Sequence, residues 1–79
     1  MARSTFAQSF GKVLQKQRKA KGLSQEALAE KAQVHPTHIG LIERGLRNPS
    51  LNVAGALANA LGLSLSDLIV QAEKLQKGH

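Results

Sequence analysis

The sequence predicts an all-α fold, a compact bundle of five helices over its 79 residues. Three observations support this fold class. Apolar residues recur at helical spacing, without the period-two alternation that marks strands. Serine or threonine precedes four of the five apolar segments, where it favours a helix N-terminus, and glycine follows three of them. The links are short, and none resembles a linker between domains, so residues 1–79 are expected to form a single domain.

The first helix is expected at about 6–21. Thr5 is suited to be its N-cap, and Gln8 three residues later completes a capping box, in which each side chain accepts from the other residue's backbone N–H. One apolar stripe follows, made of Phe6, Phe10, Val13 and Leu14. Gly22 ends the helix.

The second and third helices are expected close together, at about 25–32 and 36–44. Ser24 caps the second. His35 occupies the cap position of the third, where histidine is a poor choice by propensity, so either its side chain or a backbone arrangement must close that end. Pro36 suits the first helical position because its missing N–H has no partner there.

Two further helices complete the chain. Ser50 caps a fourth helix at about 51–61, which Gly62 ends. Ser64 and Asp67 form a second capping box and open a fifth helix at about 65–76. The closing "QKGH" is expected to be a frayed tail.

The formal net charge of +6 is concentrated near the start of the chain. Six cations precede the first acid, Glu26: Arg3, Lys12, Lys16, Arg18, Lys19 and Lys21. This distribution favours a phosphate-binding surface, although many small soluble proteins are also basic. The chain has no Tyr or Trp and only two Phe, so stacking of single-stranded bases is not expected.

The composition also indicates in which cellular compartment the protein works. Cysteine is absent from the sequence, which excludes disulfides and thiolate metal sites. No apolar run approaches the roughly 20 residues of a membrane span, and the N-terminus lacks the apolar segment of a signal peptide. We therefore expect a cytoplasmic, nucleoid-associated protein without membrane contact.

The two short central helices have the spacing of a helix-turn-helix pair. The positions that must be buried hold Leu28, Ala32, Val34, Ile39 and Ile42, and small Ala29 lies where the helices cross. Such packing would leave the other face of the third helix free to enter a major groove about 12 Å wide. A plain helical hairpin within a bundle would need similar contacts and remains the alternative.

The sequence resembles the Cro/repressor-type, or XRE-like, helix-turn-helix family. The matching pieces are "LSQEALA", "IERG", "RNPSL" and "ALGLSLSDLI", and the resemblance covers about 10–70. It implies a lambda-repressor-like domain that regulates transcription by binding duplex DNA sequence-specifically, as a homodimer on a palindromic operator. Within the family, "HPTHIGLIERGLRNPSL" is most similar to the controller proteins of restriction–modification systems, which implies autoregulation. Gln33 departs from the family's usual glycine in the turn.

The expected DNA-binding residues lie on the two central helices and the loop that follows: Gln25, His35, Pro36, Thr37, His38, Gly40, Leu41, Arg44, Arg47 and Asn48. The resemblance implies that Gln25 binds a phosphate, that Arg44 and Arg47 reach bases or phosphates, and that Asn48 binds the DNA backbone. It also implies a structural salt bridge between Arg18 and Glu43.

Six of the expected DNA-binding positions have a second interpretation. Gln25 is alternatively an ordinary solvated residue of a first helical turn, and Arg44 and Arg47 are alternatively cations that favour a helix C-terminus without any ligand. Gly40 either lets the DNA approach or packs tightly against another helix. His35 and His38 are spaced like two metal ligands, but no third ligand is nearby, so neither a metal nor a cofactor is expected. No acid accompanies a nucleophile, so an enzyme is not expected either.

The last helix carries more apolar residues than a small core needs. We expect Leu65, Leu68, Ile69 and Ala72, with Leu57 of the fourth helix, to form a dimer interface. Alternatively, these residues all cover the monomer's own core. The expected partners are duplex DNA, a second copy of the chain and, depending on operator position, RNA polymerase. No small-molecule ligand is expected. A protein-bridging adaptor or an antitoxin on the same fold is the alternative function.

Overall fold

The computed structural model describes residues 5–77, which form five α-helices and no strand. The helices are α1 (Phe6–Ala20), α2 (Gln25–Ala32), α3 (Pro36–Glu43), α4 (Leu51–Ala60) and α5 (Leu65–Lys77). The all-α prediction is confirmed, and each helix begins at the predicted residue and ends within one residue of the predicted end. The predicted frayed tail begins too early, since Gln76 and Lys77 continue α5. Arg3 and the end of that tail, residues 78–79, lie outside the described residues.

The helix starts follow from local hydrogen bonds. The Gln8 N–H donates to Thr5 Oγ1 over 3.1 Å, and the Thr5 N–H donates to Gln8 Oε1 over 2.9 Å, so the first capping box is complete. Ser24 and Ser50 cap α2 and α4 through their hydroxyls. At α5, the Asp67 N–H donates to Ser64 Oγ over 3.1 Å, which confirms the hydroxyl half of the second box.

His35 caps α3 with its side chain. Its Nδ1 accepts a hydrogen bond from the Thr37 N–H over 3.2 Å, while its backbone is extended. This bond requires that Nδ1 carry no proton. Pro36 follows at the first helical position, as expected, because the missing proline N–H would have no partner within the helix.

The core is one cluster to which all five helices contribute. α1 packs against α3 and α5, α2 packs against α3 and α4, and α4 packs against α5. The most deeply buried large side chains are Leu14, Leu28, Ile39, Ile42, Leu57, Leu61 and Leu68. The main contacts of α3 are with α1 and α2, which leaves part of its surface available to a partner.

Three residues of the predicted dimer interface belong to the core of the single chain, which favours the alternative interpretation for them. Leu57, Leu68 and Ala72 are each 0% exposed and are part of the core cluster inside one chain. Helical spacing identified an apolar face correctly but did not distinguish a core from a subunit contact. Leu65 and Ile69 are only partly buried against that core.

The turn between α2 and α3 contains strained backbone. Gln33 ends α2 in the left-handed region with φ 58° and ψ 44°, as its position in the turn predicts. A residue that has a Cβ atom lowers the stability of the fold by about 1 kcal/mol when its backbone adopts this left-handed conformation. The turn is nevertheless closed by the Val34 N–H, which donates to Ala29 O over 3.0 Å.

None of the helices within residues 5–77 is long and apolar enough to cross a membrane alone. By length and composition, α4 and α5 would qualify only as a pair, and a bend of 101° separates them.

Candidate nucleic-acid interface

The α2–α3 pair is braced from one side. Leu28 and Ala29 of α2 are buried, as are Ile39 and Ile42 of α3. Ala32 and Val34, which were expected in the same set, are partly buried and pack against the core. These contacts bury one face of α3, so the residues on its opposite face are not needed for packing within the chain.

Ten residues were expected to contact DNA, and seven of them line two shallow hollows on the surface. One hollow, of about 450 Å³, is lined by Arg18, Ser24, Gln25, Glu26, Pro36 and Thr37. The other, of about 370 Å³, is lined by His35, Thr37, His38, Leu41 and Arg47. Thr37 belongs to both hollows, so it lies at the middle of this surface.

The three expected residues outside the hollows are Gly40, Arg44 and Asn48, and Arg47 of the second hollow is the sequence neighbour of Asn48. Arg44 is the C-cap of α3 and is exposed, with Nε 3.4 Å from Gly40 O, which is too long for a strong hydrogen bond. Arg47 and Asn48 are exposed in the loop that follows. Both arginines can therefore turn towards a partner without breaking a strong contact.

Gly40 faces the side chain of Gln25. A Cβ added at Gly40 would lie 3.5 Å from Gln25 Oε1, which is an ordinary van der Waals distance. Packing within the chain therefore tolerates alanine at this position. Of the two interpretations of Gly40, tight packing against another helix is the one that this geometry does not support.

A buried ion pair ties α1 to the end of α3. Arg18 Nε donates to Glu43 Oε2 over 2.6 Å, and Arg18 Nη2 donates to Glu43 Oε1 over 3.1 Å. The Glu43 side chain is only 1% exposed. The bidentate hydrogen bonding to Glu43 raises the pKa of the Arg18 guanidinium above its ordinary value, against the opposing effect of burial.

Gln25 joins this pair to α2. Its Nε2 donates to Glu43 Oε1 over 3.0 Å, and Arg18 Nη1 donates to Leu23 O over 2.8 Å. Glu43 thus accepts three hydrogen bonds, and its negative charge is paired with Arg18, so it should not repel a nearby phosphate. The first N–H groups of α2 also lie here, where a helix N-terminus favours an anion.

Two glycines contribute to this support: Gly11 was not recognised in the sequence, and Gly45 was recognised only as the residue that ends the third helix. A Cβ added at Gly11 of α1 would lie 2.2 Å from Ile42 O and 2.7 Å from Glu43 O, so α1 approaches the backbone of α3 as closely as glycine allows. Gly45 follows α3 with φ 73°, and a Cβ there would lie 2.7 Å from Gln8 Cγ. An isolated glycine in the middle of a helix was the available signal for Gly11.

His38 is half-buried, and its Nε2 has no hydrogen-bond partner among residues 5–77 while being shielded from solvent. To offer Nε2 to a base edge, its side chain must change rotamer. His35 uses Nδ1 for the cap. Within residues 5–77, no three His, Cys, Asp or Glu side chains are placed to share a metal ion.

Comparison with known proteins identifies relatives over most of the chain, including α2 and α3. The family described as helix-turn-helix matches residues 14–68. The control protein C.MunI of Mycoplasma sp is 41% identical over 66 residues, which cover 82% of this chain and 89% of C.MunI. Other curated relatives are longer, and the chain spans about half the length (47%) of two uncharacterised HTH-type transcriptional regulators of Mycobacterium tuberculosis.

Solved structures show the same fold. The restriction-modification controller protein C.AhdI from Aeromonas hydrophila superposes with a TM-score of 0.77 at 42% identity, covering 78% of this chain and 94% of C.AhdI. SinR, a master regulator for biofilm formation whose structure was solved in complex with DNA, superposes with a TM-score of 0.73 at 36% identity. That match covers 76% of this chain and 97% of SinR.

Proposed function

The chain belongs to the helix-turn-helix family, and on that premise we propose that it is a transcriptional regulator that binds duplex DNA sequence-specifically through α3. The observation that carries the proposal is the position of Thr37. It lies in the first turn of α3, between the two hollows, on a helix whose opposite face is buried. The first turn of a recognition helix is the part that reaches base edges in the major groove.

The polar groups around Thr37 suit a duplex. The Thr37 hydroxyl can donate or accept, and its methyl can contact a thymine methyl. Gln25 and the first N–H groups of α2 would bind a phosphate on one side. Arg44 and Arg47 would bind phosphates or base edges on the other, and Asn48 the backbone beyond them.

We propose that the regulator acts as a homodimer on a palindromic operator. One such domain covers little DNA, and two copies related by a two-fold axis would read half-sites about one helical turn apart. Because Leu57, Leu68 and Ala72 are buried in the monomer, we assign the interface to the partly buried Leu65 and Ile69 of α5. Sedimentation that finds only monomer at tens of micromolar would contradict this.

The narrower proposal is a controller of a restriction–modification system that regulates its own operon. It is supported by the similarity to C.MunI and C.AhdI over almost their full lengths, rather than over a part of a larger regulator. A polymerase contact would then depend on where the operator lies relative to the promoter. The duplex selected by the experiment below can be searched for in the DNA upstream of the gene.

The test begins with selection of bound sequences from a random duplex pool, followed by titration of the selected duplex at several salt concentrations. A specific regulator gives a site preference and a steep fall of log affinity with log salt. Thr37→Ala with Arg44→Ala should lower affinity for the selected duplex by about 30-fold or more, since each lost contact costs on the order of 1–3 kcal/mol. Lys19→Ala, which removes an exposed cation from α1, is the matched control.

Two readouts separate the possible results. Circular dichroism must show that the double variant unfolds at the parent's midpoint, since both residues are exposed. If that folded variant bound the selected duplex as tightly as the parent, α3 would not be the recognition helix. Arg47→Ala should lower the salt slope by about one and weaken binding to all sequences alike if it binds a phosphate.

A further inference from the structure

An open groove runs between α1 and α5, on a part of the surface that the proposed DNA contacts do not use. It has a volume of about 540 Å³, and apolar atoms form most of its surface. The residues that line it are Lys12, Val13 and Lys16 of α1 and Gln71, Lys74 and Leu75 of α5. Gln71 is held in place by Gln17, whose Nε2 donates to Gln71 Oε1 over 3.0 Å.

No carboxylate of residues 5–77 forms an ion pair with any of the three lysines of the groove. Throughout residues 5–77, the ion pair between Arg18 and Glu43 is the only one present. Lys12, Lys16 and Lys74 therefore place three positive charges around one concave surface without a compensating carboxylate. Like charges held this close repel each other, and the arrangement favours binding of an anionic partner.

The groove faces away from both surfaces proposed above. Gly11 and Arg18 define the side of α1 that contacts α3. At 3.6 residues per turn, Val13 and Lys16 lie about 160° and 140° around the helix from Gly11. On α5, Gln71 likewise lies about 160° from Ile69, so the proposed dimer contact is on the other side of that helix.

We propose that this groove binds an acidic amphipathic helix of a partner protein. Lys12 and Lys16 are four residues apart and so present their charges about 6 Å apart along α1. A partner helix with carboxylates at i and i+4 repeats this spacing, and its apolar side chains would cover Val13 and Leu75. A DNA backbone offers phosphates but nothing apolar for the floor of the groove, and a lipid surface is too flat to fill it.

The probe is a fluorescein-labelled synthetic helix of about 15 residues, long enough to fold in part, with Glu at i and i+4 beside a Leu stripe. Its matched control replaces each Glu with Gln. Anisotropy with the full chain should give a dissociation constant on the order of micromolar for the acidic peptide, rising with salt, and at least about tenfold weaker binding of the Gln peptide. Equal binding of the two peptides would overturn the proposal.

Charge reversal locates the site. Lys16→Glu with Lys74→Glu should weaken peptide binding by about tenfold or more, whereas Lys19→Glu with Lys31→Glu, two exposed cations outside the groove, should not. Amide shifts in NMR spectra of the ¹⁵N-labelled chain should change at Val13 and Gln71 on peptide addition. Shifts confined to α3, or equal losses in both charge-reversal variants, would refute the assignment.

The same variants also test whether the groove binds DNA or a lipid surface instead. The selected duplex and vesicles containing phosphatidylserine are titrated with the same variants. If Lys16→Glu with Lys74→Glu weakened duplex or vesicle binding while the acidic peptide failed to bind, the groove would belong to DNA or lipid, and the proposal would be wrong. Unchanged duplex affinity together with lost peptide binding would support it.

Discussion

Removal of Glu43 should destabilise the protein more than its single charge suggests. In Glu43→Ala, Arg18 loses the acceptor of two hydrogen bonds, over 2.6 and 3.1 Å, and keeps the bond from Nη1 to Leu23 O. Gln25 loses its 3.0 Å bond as well. The guanidinium remains in a site where the Arg18 side chain is only 9% exposed, so its charge is left buried and unpaired.

The expected loss is large compared with the stability of so small a protein. Breaking one side of a buried ion pair costs about 3–5 kcal/mol, mostly because the remaining charge stays desolvated. At about 0.05–0.15 kcal/mol per residue, the whole chain has a free energy of unfolding of roughly 4–12 kcal/mol. With a urea slope of about 1 kcal/mol per molar, the unfolding midpoint should fall by about 3 M or more.

Urea unfolding followed by circular dichroism at 222 nm measures the effect. Glu30→Ala, which removes an exposed carboxylate from α2, is the control and should change stability by less than about 0.5 kcal/mol. Arg18→Met with Glu43→Leu removes both charges and should regain most of the loss, because nothing charged remains buried. If Glu43→Ala unfolded at the same midpoint as Glu30→Ala, the pair would not brace α3.

Three further predictions concern single positions and use the same unfolding measurement. Gly11→Ala should lower the free energy of unfolding by on the order of 1–3 kcal/mol, because the added Cβ meets the backbone of α3. Gly55→Ala is the control: a Cβ there has nothing within 4 Å, and the change should raise the free energy of unfolding by about 0.5–1 kcal/mol through helix propensity. Similar values for the two variants would contradict the close approach of α1 to α3. Gln33→Gly should gain up to about 1 kcal/mol by relieving the backbone at φ 58°, and a loss would show that the turn is not strained. His35→Ala should cost about 0.5–2 kcal/mol through the lost cap, and His35→Asn should restore it; equal stability of all three would show that Nδ1 does not cap α3.

The positions of the helices could be predicted from the sequence because the residues that cap a helix act through local hydrogen bonds. Thr5, Ser24 and Ser50 each satisfy an N–H three residues away, and such a bond requires no knowledge of the rest of the fold. His35 was harder, since propensity disfavours histidine as a cap even though a neutral imidazole nitrogen can accept the same bond.

The role of the apolar residues could not be read in the same way. Helical spacing shows that Leu68 and Ala72 share a face, but whether that face meets α1 or a second chain depends on how α1, α4 and α5 pack. Gly11 presents the same difficulty, because the need for glycine arises from α3, more than 30 residues away in the sequence. Both properties are set by tertiary contacts that a periodic pattern does not encode.

The position of α3 depends on supports whose first role is to hold the helix rather than to read bases. A helix of eight residues is unstable in isolation, so its orientation must come from its neighbours. His35 fixes its first turn, next to Thr37, while Gly11 and the Arg18–Glu43 pair hold its last turn against α1. Loosening either end should reduce affinity for a specific duplex more than affinity for random DNA, because base contacts depend on the angle of the helix and phosphate attraction does not. The same variants that test stability therefore test recognition, provided that binding is measured where each variant is still folded.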